Sequence, residues 1–101
     1  MAVLVIGEIP SGDAAMDKRM MQELGLQDAP ALGAIARFAG PTDGGGWRVV
    51  SVWESEDAYR AFERDKLMPA FERLGIQRRP GIQVSQLDSV RISPTAATQA
   101  R

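Results

Sequence analysis

The stretch GGGWRVVSVWESEDAYRAF, residues 44–62, decides the fold. A glycine turn leads into a strand bracketed by Trp47 and Trp53, and that strand runs straight into a helix. Two architectures begin this way. In a phosphate cradle the glycines lie between a strand and a helix, so that helix amides point at the anion. In a β-hairpin they lie between two strands. Here they precede the strand, and no Lys-Ser or Lys-Thr pair follows them. The strand-to-helix junction, Glu54-Ser55-Glu56, has no glycine and is acidic, which repels phosphate. Residues 44–46 therefore read as a hairpin turn within the dense turn signal of residues 40–46.

Outward from this hairpin the elements follow in order. Residues 47–53, WRVVSVW, form the clearest strand. Before the turn, residues 31–39, ALGAIARFA, form a weaker one, diluted by Gly33 and alanines. Residues 2–9, AVLVIGEI, are β-branched and nearly all apolar, and Pro10 ends them. Asp13 is a good N-cap for the helix that follows, on which Met16, Met20 and Leu24 recur on one face until Gly25 stops it. After Trp53, Ser55 caps a helix with Glu56 and Asp57 in its first turn. Ala58, Tyr59 and Phe62 supply its apolar face. Pro69 removes the backbone donor that would reach Asp65, so a kink or two abutting helices are expected there. Leu67, Phe71 and Leu74 continue the stripe to Gly75. Pro80 and Gly81 form a turn, residues 82–92 read as a last strand, and residues 93–101 read as a flexible tail.

The order β-α-β-β-α-β is that of the ferredoxin-like α+β fold, an antiparallel sheet with both helices on one face. It makes residues 1–92 a single domain. The strands are apolar on both sides, so the face without helices requires cover. Two sheets packed face to face would supply it, and a two-fold homodimer is expected.

Composition narrows the function. Twelve basic residues oppose 13 acidic ones across 101 residues, for a net charge of −1. That balance lacks the basic excess of a nucleic-acid binder, and the interspersed charges give no polybasic run for a membrane surface. No segment approaches the ~20 apolar residues of a membrane span, and residues 2–6 are too short for a signal sequence. A soluble cytoplasmic protein is expected. There is no cysteine and no histidine. Disulfides and thiol nucleophiles are excluded, as are the commonest general base and metal ligand. The carboxylates form no calcium-loop spacing, so no metal is expected.

Arg37 stands in an apolar strand, where a charge must be paired or face a wet cavity. Its head either lies in solvent at the sheet end or binds an anion or enolate inside a pocket, a role that suits guanidinium. Asp88, read as part of the last strand, raises the same question with opposite sign, and the two are candidates to pair across that pocket. Trp47 and Trp53 share one strand face by parity. They serve as core or dimer packing, or as a platform for a flat aromatic ligand. Tyr59 can offer a hydroxyl to the same pocket. Phe62 and Met20 are candidate apolar walls, and methionine suits a pliable cavity.

The segment GAIARFAGPTDGGGWRVVSVWESEDAYRAFERDKLMPAFERLG, residues 33–75, resembles the dimeric α+β barrel superfamily, specifically small proteins of the antibiotic biosynthesis monooxygenase type. The resemblance is carried by G-W-R-V-V-x-V-W-E-S, the aromatic helix after it, and L-x-P followed by Gly75. It implies a homodimer that oxidises a flat aromatic molecule of quinol or anthrone type without a cofactor. Arg37 and Asp88 would then be catalytic, and Trp53, Tyr59, Trp47, Phe62 and Met20 would bind substrate. An electron-rich enolate reduces dioxygen itself, so neither metal nor flavin is needed. The superfamily also holds isomerases, polyketide cyclases and members with no known activity. An isomerase or cyclase, and a noncatalytic small-molecule-binding or stress-associated dimer, are therefore the alternatives. Histidines sought near Arg37 and Asp88 in such relatives are absent here, which argues against histidine-based catalysis and histidine-ligated haem.

Overall fold

The computed structural model describes residues 1–76 and 81–93. The expected turn at Pro80 and all of the expected tail but Ser93 lie outside the described residues. The element order is β1 (Val3–Ile9), α1 (Ala14–Leu24), β2 (Ala34–Thr42), β3 (Gly46–Trp53), α2 (Glu56–Phe62), a π-helical turn (Glu63–Leu67), α3 (Met68–Arg73) and β4 (Gly81–Gln86). The strands form one antiparallel sheet in the order β2-β3-β1-β4. This is the ferredoxin-like α+β fold expected from the sequence.

The hairpin follows from the glycines. Thr42 pairs with Gly46, and the Gly45 amide donates to the Thr42 carbonyl at 3.1 Å. Gly45 has φ +83°, a conformation that L side chains rarely adopt. A three-residue loop closed by a left-handed glycine is a standard hairpin connection. Strand β2 starts later than expected and runs through Gly40 and Pro41 to Thr42. Pro41 is tolerated because β2 is an edge strand, where a missing N–H breaks no ladder on its outer side.

Helix α1 begins as its sequence demands, with the Asp13 carboxylate accepting from the Met16 amide at 2.8 Å. Ser55 caps α2 in the same way, accepting from the Ala58 amide at 3.1 Å. The interruption expected at Pro69 is present, with α2 and α3 as two α-helical segments joined by the π-helical turn. The chain stays helical from Glu56 to Arg73, and the turn before the proline widens to π geometry. The Met68 amide donates to the Glu63 carbonyl, one residue further back than in an α-helix. This re-routes the backbone bonds around the donor that Pro69 lacks.

The last strand is shorter than its alternating sequence suggests. β4 ends at Gln86, whose register partner is Val3, the first residue of β1. The Leu87 amide makes one more bond, to the Ala2 carbonyl at 2.9 Å. Beyond it the chain supplies no further ladder among the described residues. Asp88 therefore lies after the strand, exposed, and not in it as expected.

Both helical segments pack on the odd-numbered face of β1. There the core divides into two clusters. One joins Ile9 to Met16 and Met20 of α1 and to Ala70 and Phe71 of α3. The other joins Val3, Val5 and Trp53 to Tyr59 of α2. Burial of each large apolar side chain contributes roughly 1.5–3 kcal/mol. The opposite face carries Leu4 and Ile6 of β1, Val50 and Val52 of β3 and Phe38 of β2. No helix among the described residues covers it, and Phe38 is 56% exposed, although Val52 is buried within the chain.

Candidate functional site

Between the two core clusters the sheet and helices enclose a cavity of about 480 Å³. Its size falls within the ~300–1,000 Å³ range of small-molecule sites. The floor is the sheet. Gly7 lies there between Val5 and Ile9, opposite Val49 of β3 and Ile82 of β4. A glycine in mid-strand presents no side chain, so its backbone itself lines the floor. The walls are apolar and soft, with Met16, Met20 and Met21 on one side and Trp53, Tyr59 and Phe62 on the other. The segment after α1, residues 26–31, closes the outer side.

The aromatic wall is fixed by mutual contacts. The Trp53 ring meets Tyr59 edge-on with centroids 5.5 Å apart and lies 5.0 Å from Phe62. Offset and edge-on geometries are the favoured ones for such rings. Trp53 Nε1 donates to Ser51 Oγ at 2.9 Å, which sets the indole orientation. Ser51 accepts that bond and keeps its own hydroxyl proton to donate.

Arg37 reaches into this site. A register irregularity between Ala34 and Ala36 turns β2 so that Arg37 lies opposite Ser51, on the helix-facing side of the sheet. Its guanidinium donates twice to Asp17 of α1, Nη2 to Oδ1 at 2.5 Å and Nη1 to Oδ2 at 3.3 Å. The side chains are 33% and 17% exposed, which puts the pair at the cavity rim. Asp28 in the loop after α1 also lines the cavity.

Tyr59 behaves differently from its expected part. Its ring lines the cavity, but its hydroxyl donates to Glu63 Oε2 at 3.2 Å, and Glu63 is not in the cavity wall. Burial, then the Glu63 charge and hydrogen bond, push the hydroxyl above its ordinary value of 10.0. It remains a neutral donor bound to Glu63.

The structure thus brings Arg37, Trp53, Tyr59, Phe62 and Met20 to one cavity. It does not bring Trp47 or Asp88 there. Trp47 shares the sheet face of Trp53, as parity requires, but sits at the far end of β3. It lines a separate cavity of about 190 Å³ beside the hairpin turn, with Glu8, Pro10 and Thr42. Its Nε1 is buried there with no hydrogen-bond partner among the described residues. The expected pairing of Arg37 with Asp88 is replaced by the pairing with Asp17, because Asp88 follows β4 after the ladder has ended. Sequence reading missed Asp17, Gly7 and Ser51. Gly7 carried a signal, a lone glycine among β-branched strand residues. Asp17 carried none, since one acid on a helix is ordinary. No group of three or more metal-ligating side chains lies together among the described residues. Among them, no helix is long and apolar enough to cross a membrane.

No protein-family model matches the sequence, and comparison with curated proteins finds no match. Solved structures do match. A protein of unknown function from Nitrosomonas europaea superposes with a TM-score of 0.68 at 17% identity, covering 91% of this chain and 94% of that one. SnoaB, a cofactor-independent oxygenase from Streptomyces nogalater, gives 0.61 at 12% identity, over 88% of this chain and 95% of that one. A candidate antibiotic biosynthesis monooxygenase from Caulobacter crescentus gives 0.63 at 19% identity, over 89% and 91%. At these identities the likeness is one of fold. The chain has the fold of the antibiotic biosynthesis monooxygenase-like structures, which bears out at that level the resemblance carried by residues 33–75.

Proposed function

We propose that this protein is a homodimeric, cofactor-independent oxygenase acting on a flat phenol or anthrone held in the cavity between helices and sheet. The observation that carries the reading is the cavity itself, apolar, walled by Trp53, Tyr59 and Phe62, with Arg37 at its rim. The cofactor-independent oxygenase among the structures of this fold supports the choice of chemistry.

In an anthrone-type substrate the reacting carbon is a methylene beside an aromatic ring and conjugated with a carbonyl. Loss of one proton gives an enolate, which hands electrons directly to dioxygen. One oxygen atom becomes the new carbonyl, and the other leaves as water with the two methylene hydrogens. The protein contributes orientation and charge stabilisation. Arg37 stabilises the enolate oxygen. Asp17, in contact with Arg37, takes the proton, since Asp88 does not line the cavity. Once Asp17 is neutral, the Arg37 charge is free to pair with the enolate. Trp53 and Phe62 hold the ring, and Met20 adapts to its outline. The apolar face of Leu4, Ile6, Phe38 and Val50 packs on a second copy.

The noncatalytic binder draws on a specific observation. Arg37 is already paired with Asp17, and the Tyr59 hydroxyl is held by Glu63. A cavity with both groups engaged binds a ligand without needing to transform it.

Incubation with anthrone while dioxygen and quinone absorbance are followed separates these readings. One dioxygen consumed per quinone formed, lost in Arg37→Ala, is the expected result. Binding without oxygen uptake would favour the noncatalytic dimer. Conversion of a substrate without oxygen uptake would favour an isomerase or cyclase.

A further inference from the structure

Among the described residues, the charges lining the cavity are two carboxylates, Asp17 and Asp28, against one guanidinium, Arg37. Arg37 is not an open cation. Both of its terminal nitrogens are turned to the two oxygens of Asp17, the paired geometry that satisfies carboxylate best. From these contacts we infer that Asp17 is a specificity-determining residue, a built-in counter-ion that makes the cavity select uncharged ring compounds and reject carboxylates of the same size. The inference rests on the reading of this cavity as a ligand site.

The argument is electrostatic. A ligand carboxylate reaching Arg37 must either displace Asp17, leaving that side chain, only 17% exposed, without its partner, or share the guanidinium with it. Sharing brings two negative charges within a few ångströms of each other, a like-charge contact that disfavours the second carboxylate. Asp28 adds a further negative charge to the cavity lining. An uncharged hydroxyl or carbonyl oxygen meets neither obstacle. Guanidinium has five N–H donors and Asp17 engages two, so donors remain for a neutral oxygen. Ser51, the register partner of Arg37, brings a hydroxyl to the same strip of floor. The polar features of the site are therefore matched to a ring carrying a phenol or ketone.

The test uses the intact protein with naphthol and naphthoate, which share a ring system and differ in charge at neutral pH. Calorimetric titration of the wild type is expected to show naphthol bound at least about tenfold more tightly, a difference of ~1.4 kcal/mol. Asp17→Asn, nearly isosteric, frees Arg37 and is expected to tighten naphthoate about tenfold, with naphthol changing less. Arg37→Met added to Asp17→Asn should remove that gain, which separates the release of Arg37 from a general loss of negative charge. Wild-type protein that prefers naphthoate overturns the inference whether or not the variants fold. So does a folded Asp17→Asn protein whose preference is unchanged. Failure of both compounds to bind the wild type instead overturns the ligand-site reading, and this inference falls with it.

Discussion

Asp17 of α1 and Arg37 of β2, 20 residues apart in the chain, close a two-point ion pair at the rim of the apolar cavity. It joins the helix layer to the edge strand of the sheet. In the proposed reaction its charge-neutral state would suit a neutral substrate, and proton transfer to Asp17 would release Arg37 at the moment an enolate forms.

Arg37→Met should therefore separate stability from activity. The pair is partly exposed, and such pairs contribute ~0–1 kcal/mol. A melting temperature lowered by no more than about 4–8 °C is expected, together with loss of oxygen uptake. Thermal melts and oxygen-electrode traces on one preparation check both. A variant that is destabilised but fully active would remove Arg37 from the mechanism.

Gly7→Val should fill the cavity floor without straining the sheet. Valine suits a strand, and position 7 lines the cavity between Val5 and Ile9. Unchanged or raised stability is expected, with ring-compound affinity down about tenfold or more. Calorimetry beside a denaturant midpoint distinguishes blocked binding from misfolding.

Phe38→Glu places a charge on the uncovered sheet face, at a residue 56% exposed in the single chain. Folding of the protomer should survive, while association should not. Analytical ultracentrifugation is expected to give a dimer for the wild type and a monomer for the variant. Wild-type monomer would refute the face-to-face arrangement.

Gly33→Ala should destabilise the fold by ~1–3 kcal/mol. Gly33 has φ +85°, and a Cβ there would stand 2.8 Å from the Ala58 Cβ of α2. The Gly33 carbonyl also accepts from the Glu54 amide at 2.9 Å, so the loop cannot simply withdraw. A fall in the urea midpoint at constant slope is the expected observation.

Tyr59 gives a pH signature. Its folded-state hydroxyl is raised above the ordinary 10.0 by burial and by Glu63. The unfolded chain therefore loses this proton first. The associated stability is complete below about pH 10 and declines as pH rises towards the folded-state value. Since Tyr59 is the sole tyrosine, tyrosinate absorbance reports it directly. Ionisation should be delayed in the native protein and ordinary in urea, and Tyr59→Phe should flatten the alkaline decline.

Elements governed by local chemistry were legible in the chain. Residues 44–46 make the hairpin because glycine reaches the positive φ its turn requires. Asp13 and Ser55 mark their helices because their side chains bond amides three residues on. The alternation of residues 82–92 misled about the last strand because alternation records which faces are apolar, not where a partner strand stops. β1 begins at Val3, so β4 ends at Gln86 and Asp88 falls outside it. Pro69 announced a lost hydrogen bond, but only packing chose a π turn to absorb it.

The sequence by itself determined the order of elements, the one-sided helix layer and the aromatic wall, since each depends on neighbours within a few residues. Tertiary structure alone decided that Arg37 meets Asp17, that the Tyr59 hydroxyl turns to Glu63 away from the cavity, and that Trp47 and Trp53 serve different cavities. Those outcomes depend on how α1 and α2 lie across the sheet and on a register irregularity in β2. Distances between elements far apart in the chain are set by packing, and no local pattern of residues encodes them.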